Sequence, residues 1–135
     1  MPCPNPPLSL IRGFTMIQYE HVPFFIAESR EATSGSTFTI KSRTRNKDGI
    51  AVVETVSVCD QDSDTKVAHI GVMIGSSVHY VKSVALTSKT YFYMVHPNLH
   101  LWPGDLVIVK IVTPTSGDKI YVNVFGHYEI PVEVE

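Results

Sequence analysis

Residues 37–45 read TFTIKSRTR, placing Phe38 and Ile40 at one parity and Thr39, Lys41, Arg43 and Arg45 at the other. Alternation at period two is the pattern of a strand with one face on a core and the other in water. Asn46-Lys47-Asp48-Gly49 then interrupts it, and Asp-Gly accepts the positive φ that a tight turn needs. The β pattern resumes over residues 50–59, 67–74, 78–84, 90–96, 106–112 and 119–125, all rich in β-branched and aromatic side chains. Turn residues separate these runs at Gly75-Ser76-Ser77, Thr87-Ser88-Lys89, Pro103-Gly104-Asp105 and Thr115-Ser116-Gly117-Asp118. Helical periodicity is absent throughout. The pattern predicts an all-β fold, an antiparallel β-sandwich of jelly-roll or Ig-like type with about seven to eight strands.

The N-terminal part is written differently. Prolines at positions 2, 4, 6 and 7 favour extended chain and cannot join a central ladder, so residues 1–36 are expected to form an extended Pro-rich arm. Residues 17–27 (IQYEHVPFFIA) offer one further strand, which Pro23 would confine to an edge or a bulge. The expected division is therefore an arm over 1–36 and a sandwich domain over 37–135.

Composition narrows the class. The chain has 135 residues, of which 44% are hydrophobic and 18% charged, a balance that supports a packed core rather than a disordered chain. Its net charge of −2 supplies no global field to draw it onto nucleic acid or an anionic membrane, so neither is expected as a direct partner. No apolar run reaches the roughly eighteen residues that a membrane helix needs, and no basic stretch precedes a hydrophobic run as in a signal peptide. Cys3 and Cys59 are the only cysteines; two free thiols are expected, with Cys59 a small buried hydrophobe.

Several stretches invite a chemical reading. Asp60, Asp62 and Asp64 alternate as in a calcium loop, but an EF-hand register started at Asp60 puts Thr65 where glycine is needed and Gly71 where a bidentate glutamate is needed. A solvated turn is expected instead. His96 and His100 are four apart, but Pro97 and Asn98 interrupt the stretch, and His69, His79 and His127 are scattered over other β segments. No metal, cofactor or catalytic residue is assigned: the chain lacks a GxSxG elbow, an HExxH pair and a phosphate-binding glycine loop.

Binding surfaces are the better candidates. Lys41, Arg43 and Arg45, extended by Lys47, would form a row of cations about 6.6 Å apart on one strand face, suited to an acidic partner or to keeping an exposed edge from pairing. Stacking aromatics for RNA would have to share that face, and Phe38 has the opposite parity. Phe24, Phe25 and Ile26 beside Pro23 are candidate anchors for a partner, with a core role expected for at least one of them. Trp102 is expected to cap the sandwich. A carbohydrate- or cell-surface-binding module is the alternative class, and it would use Tyr91, Tyr93, Tyr121 and Trp102.

From residue 49 to the C-terminus the order of strands and turns resembles the small β-sandwich virion proteins of tailed bacteriophages. The positions that carry the resemblance are Asp60, Tyr80, Lys82, Gly104, Asp105 and Glu129, which are turn and strand residues. The resemblance implies a non-enzymatic virion structural protein of the capsid decoration (cement) or neck and tail accessory type. Its partners would be other virion proteins, major capsid or neck and tail components, with homo-oligomers as the default.

Overall fold

The computed structural model describes residues 16–33, 37–43 and 49–134, and among them nine strands and no helix. These are β1 (Met16–Glu31), β2 (Thr37–Arg43), β3 (Ile50–Asp60), β4 (Lys66–Ile74), β5 (Ser77–Leu86), β6 (Tyr93–Val95), β7 (Leu99–Leu101), β8 (Leu106–Val112) and β9 (Lys119–Val134). Two antiparallel sheets result. One runs β1-β9-β3, with β6 and β7 both on the far side of β3; the other runs β2-β8-β4-β5. The β-sandwich read from the alternation is the fold of the protein.

The inward columns explain why it closes. Ile40 on β2 lies opposite Val109 on β8, and both are buried. Ala68, Ile70 and Val72 on β4 and Val107, Val109 and Ile111 on β8 line the same interior, each at a spacing of two. From the other sheet come Ala51, Val53, Val56 and Val58 on β3 and Ile120, Val122 and Val124 on β9. The spacing on β3 slips by one between Val53 and Val56 because a bulge interrupts its register with β9 between Val53 and Thr55. Without that slip one half of β3 would turn its valines to solvent.

Opposite the bulge stands Gly126, where a Cβ would lie 2.0 Å from the Val52 carbonyl oxygen and 3.0 Å from the Phe24 ring. Glycine is required there by close approach rather than by turn geometry.

The structure extends two readings of the sequence and corrects a third. Strand β1 pairs with β9 over sixteen residues at the sheet edge, with Pro23 opposite His127, and an edge is where proline costs no ladder bond. Strand β9 continues to Val134, well past the run ending at residue 125. The expected strand over 90–96 is reduced to β6 and followed by β7, with Asn98 at φ 48° between them; Pro97 and a left-handed residue together break the ladder.

Chain crossings between the sheets are unevenly placed. The β1–β2, β3–β4, β5–β6 and β8–β9 connections all pass at the end of the sandwich where β3 finishes and β9 starts.

Candidate functional site

Exposed apolar side chains gather on edge strands and on the strand next to one. On β1 and β9 they are Tyr19, Val22, Phe25, Phe125 and Val132; on the β4–β5 hairpin they are Val67, Ile74, Val78, Tyr80 and Val81. The strand β5 is exposed on both faces from Ser77 to Ser83, so this edge strand stands clear of the core while β4 lines it. Tyr80 lies against His69, with ring centroids 5.8 Å apart, and under the Lys110 ammonium, 5.7 Å from its centroid. Those contacts hold the ring against the sheet while 42% of the residue faces solvent.

The sequence-based anchors divide by parity. Phe24 packs against the core and stacks on Tyr128 at 4.6 Å, whereas Pro23 and Phe25 are exposed. Lys41 and Arg43 fall on β2, an edge strand paired with β8 alone, opposite Ile108 and Leu106. Their side chains, and Arg45 and Lys47 entirely, lie outside the described residues.

Trp102 does not cap the sandwich. It is 65% exposed, and Leu99 and Leu101 close the core beside it. Its backbone N–H donates to Asp105 Oδ2 at 3.0 Å, while the Asp105 N–H returns a bond to the Trp102 carbonyl at 3.1 Å. Gly104, at φ 94°, completes this turn, so Asp105 is a buried turn clamp and the indole is left outside. Trp102 and Pro103 instead wall a surface hollow of about 310 Å³ with Tyr19, Ile50, Glu129 and Pro131.

Next to the hollow, the outer face of the first sheet carries a histidine–carboxylate group that sequence spacing did not reveal, because its members come from three strands. The His21 and His127 rings stack at 4.9 Å. His127 sits between two carboxylates, Nδ1 at 3.3 Å from Glu54 and Nε2 at 3.3 Å from Glu129, and His21 Nε2 is 3.9 Å from Glu129. His96 and His100 do not join it; both are exposed, and His96 Nδ1 meets the Thr55 hydroxyl at 3.1 Å.

The aromatics of the carbohydrate reading do not form one face. Tyr93 lies opposite Val58 and Tyr121 opposite Cys59, whereas Trp102 follows Leu101, which pairs with Ala51 at the other end of β3. Seven residues of strand, roughly 24 Å, separate these ends. The Tyr93 hydroxyl is also committed locally, bonded to the Thr87 hydroxyl at 2.7 Å.

The aspartate stretch departs from the expected solvated turn. Asp62 and Asp64 are exposed, but Asp60 is fully buried, because it extends the inward column Val56–Val58 by one step. Asp118 extends the column Ile120–Val122 to the same end and is 4% exposed. Asp60 Oδ1 accepts the N–H groups of Asp62 and Ser63, both at 3.0 Å. Its Oδ2 is buried without a hydrogen-bond partner. Burial pushes the Asp60 carboxyl up to about 6, with the facing Asp118 adding to the rise and the two N–H groups opposing it. Asp62 accepts the Lys119 N–H at 2.7 Å, and Asp118 accepts the Ser63 hydroxyl. One carboxylate oxygen from each of Asp60, Asp62 and Asp118 lies within 4.8 Å of the others.

Cys59, one residue earlier, points the other way. Its free thiol is buried and reaches the Lys89 carbonyl at 3.4 Å.

No protein-family model matches the chain, and no characterised protein matches its sequence. Among solved structures it is similar to one described as "Structure of infectious bursal disease virus Gt strain", with a TM-score of 0.30 and 11% identity. The match covers 86% of this chain and 41% of that one, so the chain spans about two fifths of that neighbour's length. A likeness of this degree assigns no function.

Proposed function

We propose that this chain is a non-enzymatic structural protein of a virus particle, acting through protein–protein contacts as a capsid decoration or cement protein or a head–tail accessory component. The observation that carries the reading is the placement of exposed apolar side chains on β1, β9 and the β4–β5 hairpin with its exposed edge strand β5, at or beside the sheet edges. An edge strand offers unpaired backbone groups, and isolated soluble proteins blunt such edges with charge, bulges or cover. Here the edges carry such devices, Pro23 and several charges on β1 and Lys82 and a bulge on β4–β5, but they also expose Phe25, Val78, Tyr80 and Val81, which suits side-chain docking by a neighbour. The particle setting comes from the resemblance of residues 49–135 to small tailed-phage virion sandwiches. Major capsid or neck and tail proteins are the partners this implies, together with further copies of the chain in a homo-oligomer.

The test is the protein content of purified particles. Mass spectrometry of gradient-purified virions should find this chain in a fixed ratio to the major capsid protein, and its absence from particles would refute the assignment.

The hollow beside Trp102 favours a second reading, attachment to a carbohydrate or cell-surface ligand. Trp102 and Tyr19 are both more than half exposed and share its wall with Glu129; aromatic faces with a polar group at the rim suit a sugar ring. Quenching or a blue shift of Trp102 fluorescence across a sugar series would support this class.

A further inference from the structure

We propose that Asp60, Asp62 and Asp118 form a binding site for a divalent cation of the calcium class, which fastens the β3–β4 loop to the β8–β9 turn. Three observations meet at this point. First, the three carboxylates each offer an oxygen within 4.8 Å of the others. Calcium binds oxygen at about 2.4 Å, so two of its ligands can stand at most about 4.8 Å apart, and the spread of these oxygens falls within that span. Second, Asp60, a member of the cluster, is fully buried, and its Oδ2 has no hydrogen-bond partner. A buried carboxylate oxygen in that state needs a proton or a cation. Third, none of the three aspartates makes an ion pair among the described residues. The nearby Lys66 ammonium is directed to the Thr113 carbonyl at 2.8 Å.

A shared proton accounts for less of this geometry than an ion does. It would join Asp60 to Asp118 and give the third carboxylate no part, whereas the Lys119 N–H holds one Asp62 oxygen and fixes that carboxylate beside the pair. The donor set is oxygen only, which selects hard cations over zinc or copper. Magnesium keeps most of its waters and uses one or two carboxylates, whereas calcium takes more protein oxygens with looser geometry. Asp62 is exposed, so the site opens to solvent on its side, where water completes the coordination.

Position gives the ion a task. The β8–β9 turn is already tied to the end of β1, by the Ala32 N–H to the Asp118 carbonyl at 2.7 Å and the Gly117 N–H to the Ala32 carbonyl at 2.8 Å. A cation at Asp118 therefore links β1, β3 and β9 at the end where four inter-sheet connections cross. The site is not the EF-hand register of Asp60, Asp62 and Asp64. Its third member comes from 58 positions beyond Asp60, and Asp64 is outside the cluster.

The full-length chain, stripped with a chelator and dialysed at neutral pH, should be titrated with calcium chloride by calorimetry and melted with and without the ion. One ion should bind per chain, and the melting temperature should rise by on the order of 10 °C at a hundredfold excess over Kd. Asp60→Asn supplies the control: its amide can donate to Asp118, so the variant should fold without the ion and lose the calcium response. Absence of heat and of any melting shift up to about 10 mM calcium, beyond the weakest protein calcium sites, would overturn the proposal. An undiminished response in Asp60→Asn would overturn the assignment to these residues, and an equal response to magnesium would overturn the choice of ion.

Discussion

Phe25 on β1 and Phe125 on β9 are direct register partners with ring centroids 4.7 Å apart, yet both face solvent, at 57% and 41% exposure. Their neighbours Phe24 and Val124 have the opposite parity and meet the core. One strand thus presents an aromatic to each side, and the two should behave differently when removed. Phe24→Ala, which deletes a ring stacked on Tyr128 and packed against the core, should cost about 3 kcal/mol or more. Phe25→Ala should cost the isolated chain under about 1 kcal/mol, the scale of an exposed cross-strand pair. Urea unfolding followed by circular dichroism compares them, and equal losses would contradict the assigned parity.

Gly126 has no room for a side chain, since an added Cβ would meet the Val52 carbonyl oxygen at 2.0 Å. Backbone is on the other side of that contact, so the strain cannot be relieved by a rotamer change. Gly126→Ala should lose about 3 kcal/mol or more, through separation of β9 from β3 at the bulge. A midpoint in urea close to that of the parent would show that the bulge can relax.

The Cys59 thiol is held above its ordinary range, by burial first and by the neighbouring Asp60 second. Only the thiolate reacts with alkylating agents, and the folded protein should keep this group protonated and covered. Peptide mapping after iodoacetamide at pH 8 should show Cys59 labelled at least about tenfold more slowly in native than in urea-unfolded protein. Equal rates would mean that the β5–β6 loop does not cover it.

Asp60 makes stability depend on pH in an unusual direction for a carboxylate. Its folded value of about 6 lies above the unfolded value near 4, so between them the folded chain keeps a proton that the unfolded chain releases. Stability from this group is greatest at and below about pH 4, falls as pH rises to about 6, and is level above that. In protein free of divalent cations, the stability difference between the parent and Asp60→Asn should therefore move against the parent over that window. Melting curves at pH 4.5, 5.5 and 7 follow it, and a difference that grows in the parent's favour with pH would contradict the burial of Asp60.

The alternation of Phe38 and Ile40 against Lys41 and Arg43, and of the valines on β8, made the sandwich readable because inward and outward positions differ in chemistry along one strand. The bulge on β3 was not readable: nothing in IAVVETVSVC marks where the parity slips, and only Gly126, seventy-odd positions away, shows the approach that accompanies it. The aspartate cluster was half legible. Asp60 stands two residues after Val58, at the inward parity, which was a signal that it would be buried. Its pairing with Asp118 depends on the order of β3 and β9 in the sheet, which strand spacing does not contain. The same limit hid the His21, His127 and Glu129 group, whose members meet only across the β1–β9 pairing.

Light scattering coupled to size exclusion tests most directly whether the exposed apolar strands are contact surfaces. The parent chain should elute with the mass of a defined oligomer, and the double variant Phe25→Asp with Tyr80→Asp should elute as a folded monomer with an unchanged β signal. A parent that stays monomeric at every concentration, or a variant that keeps the parent's mass, would contradict association through these strands.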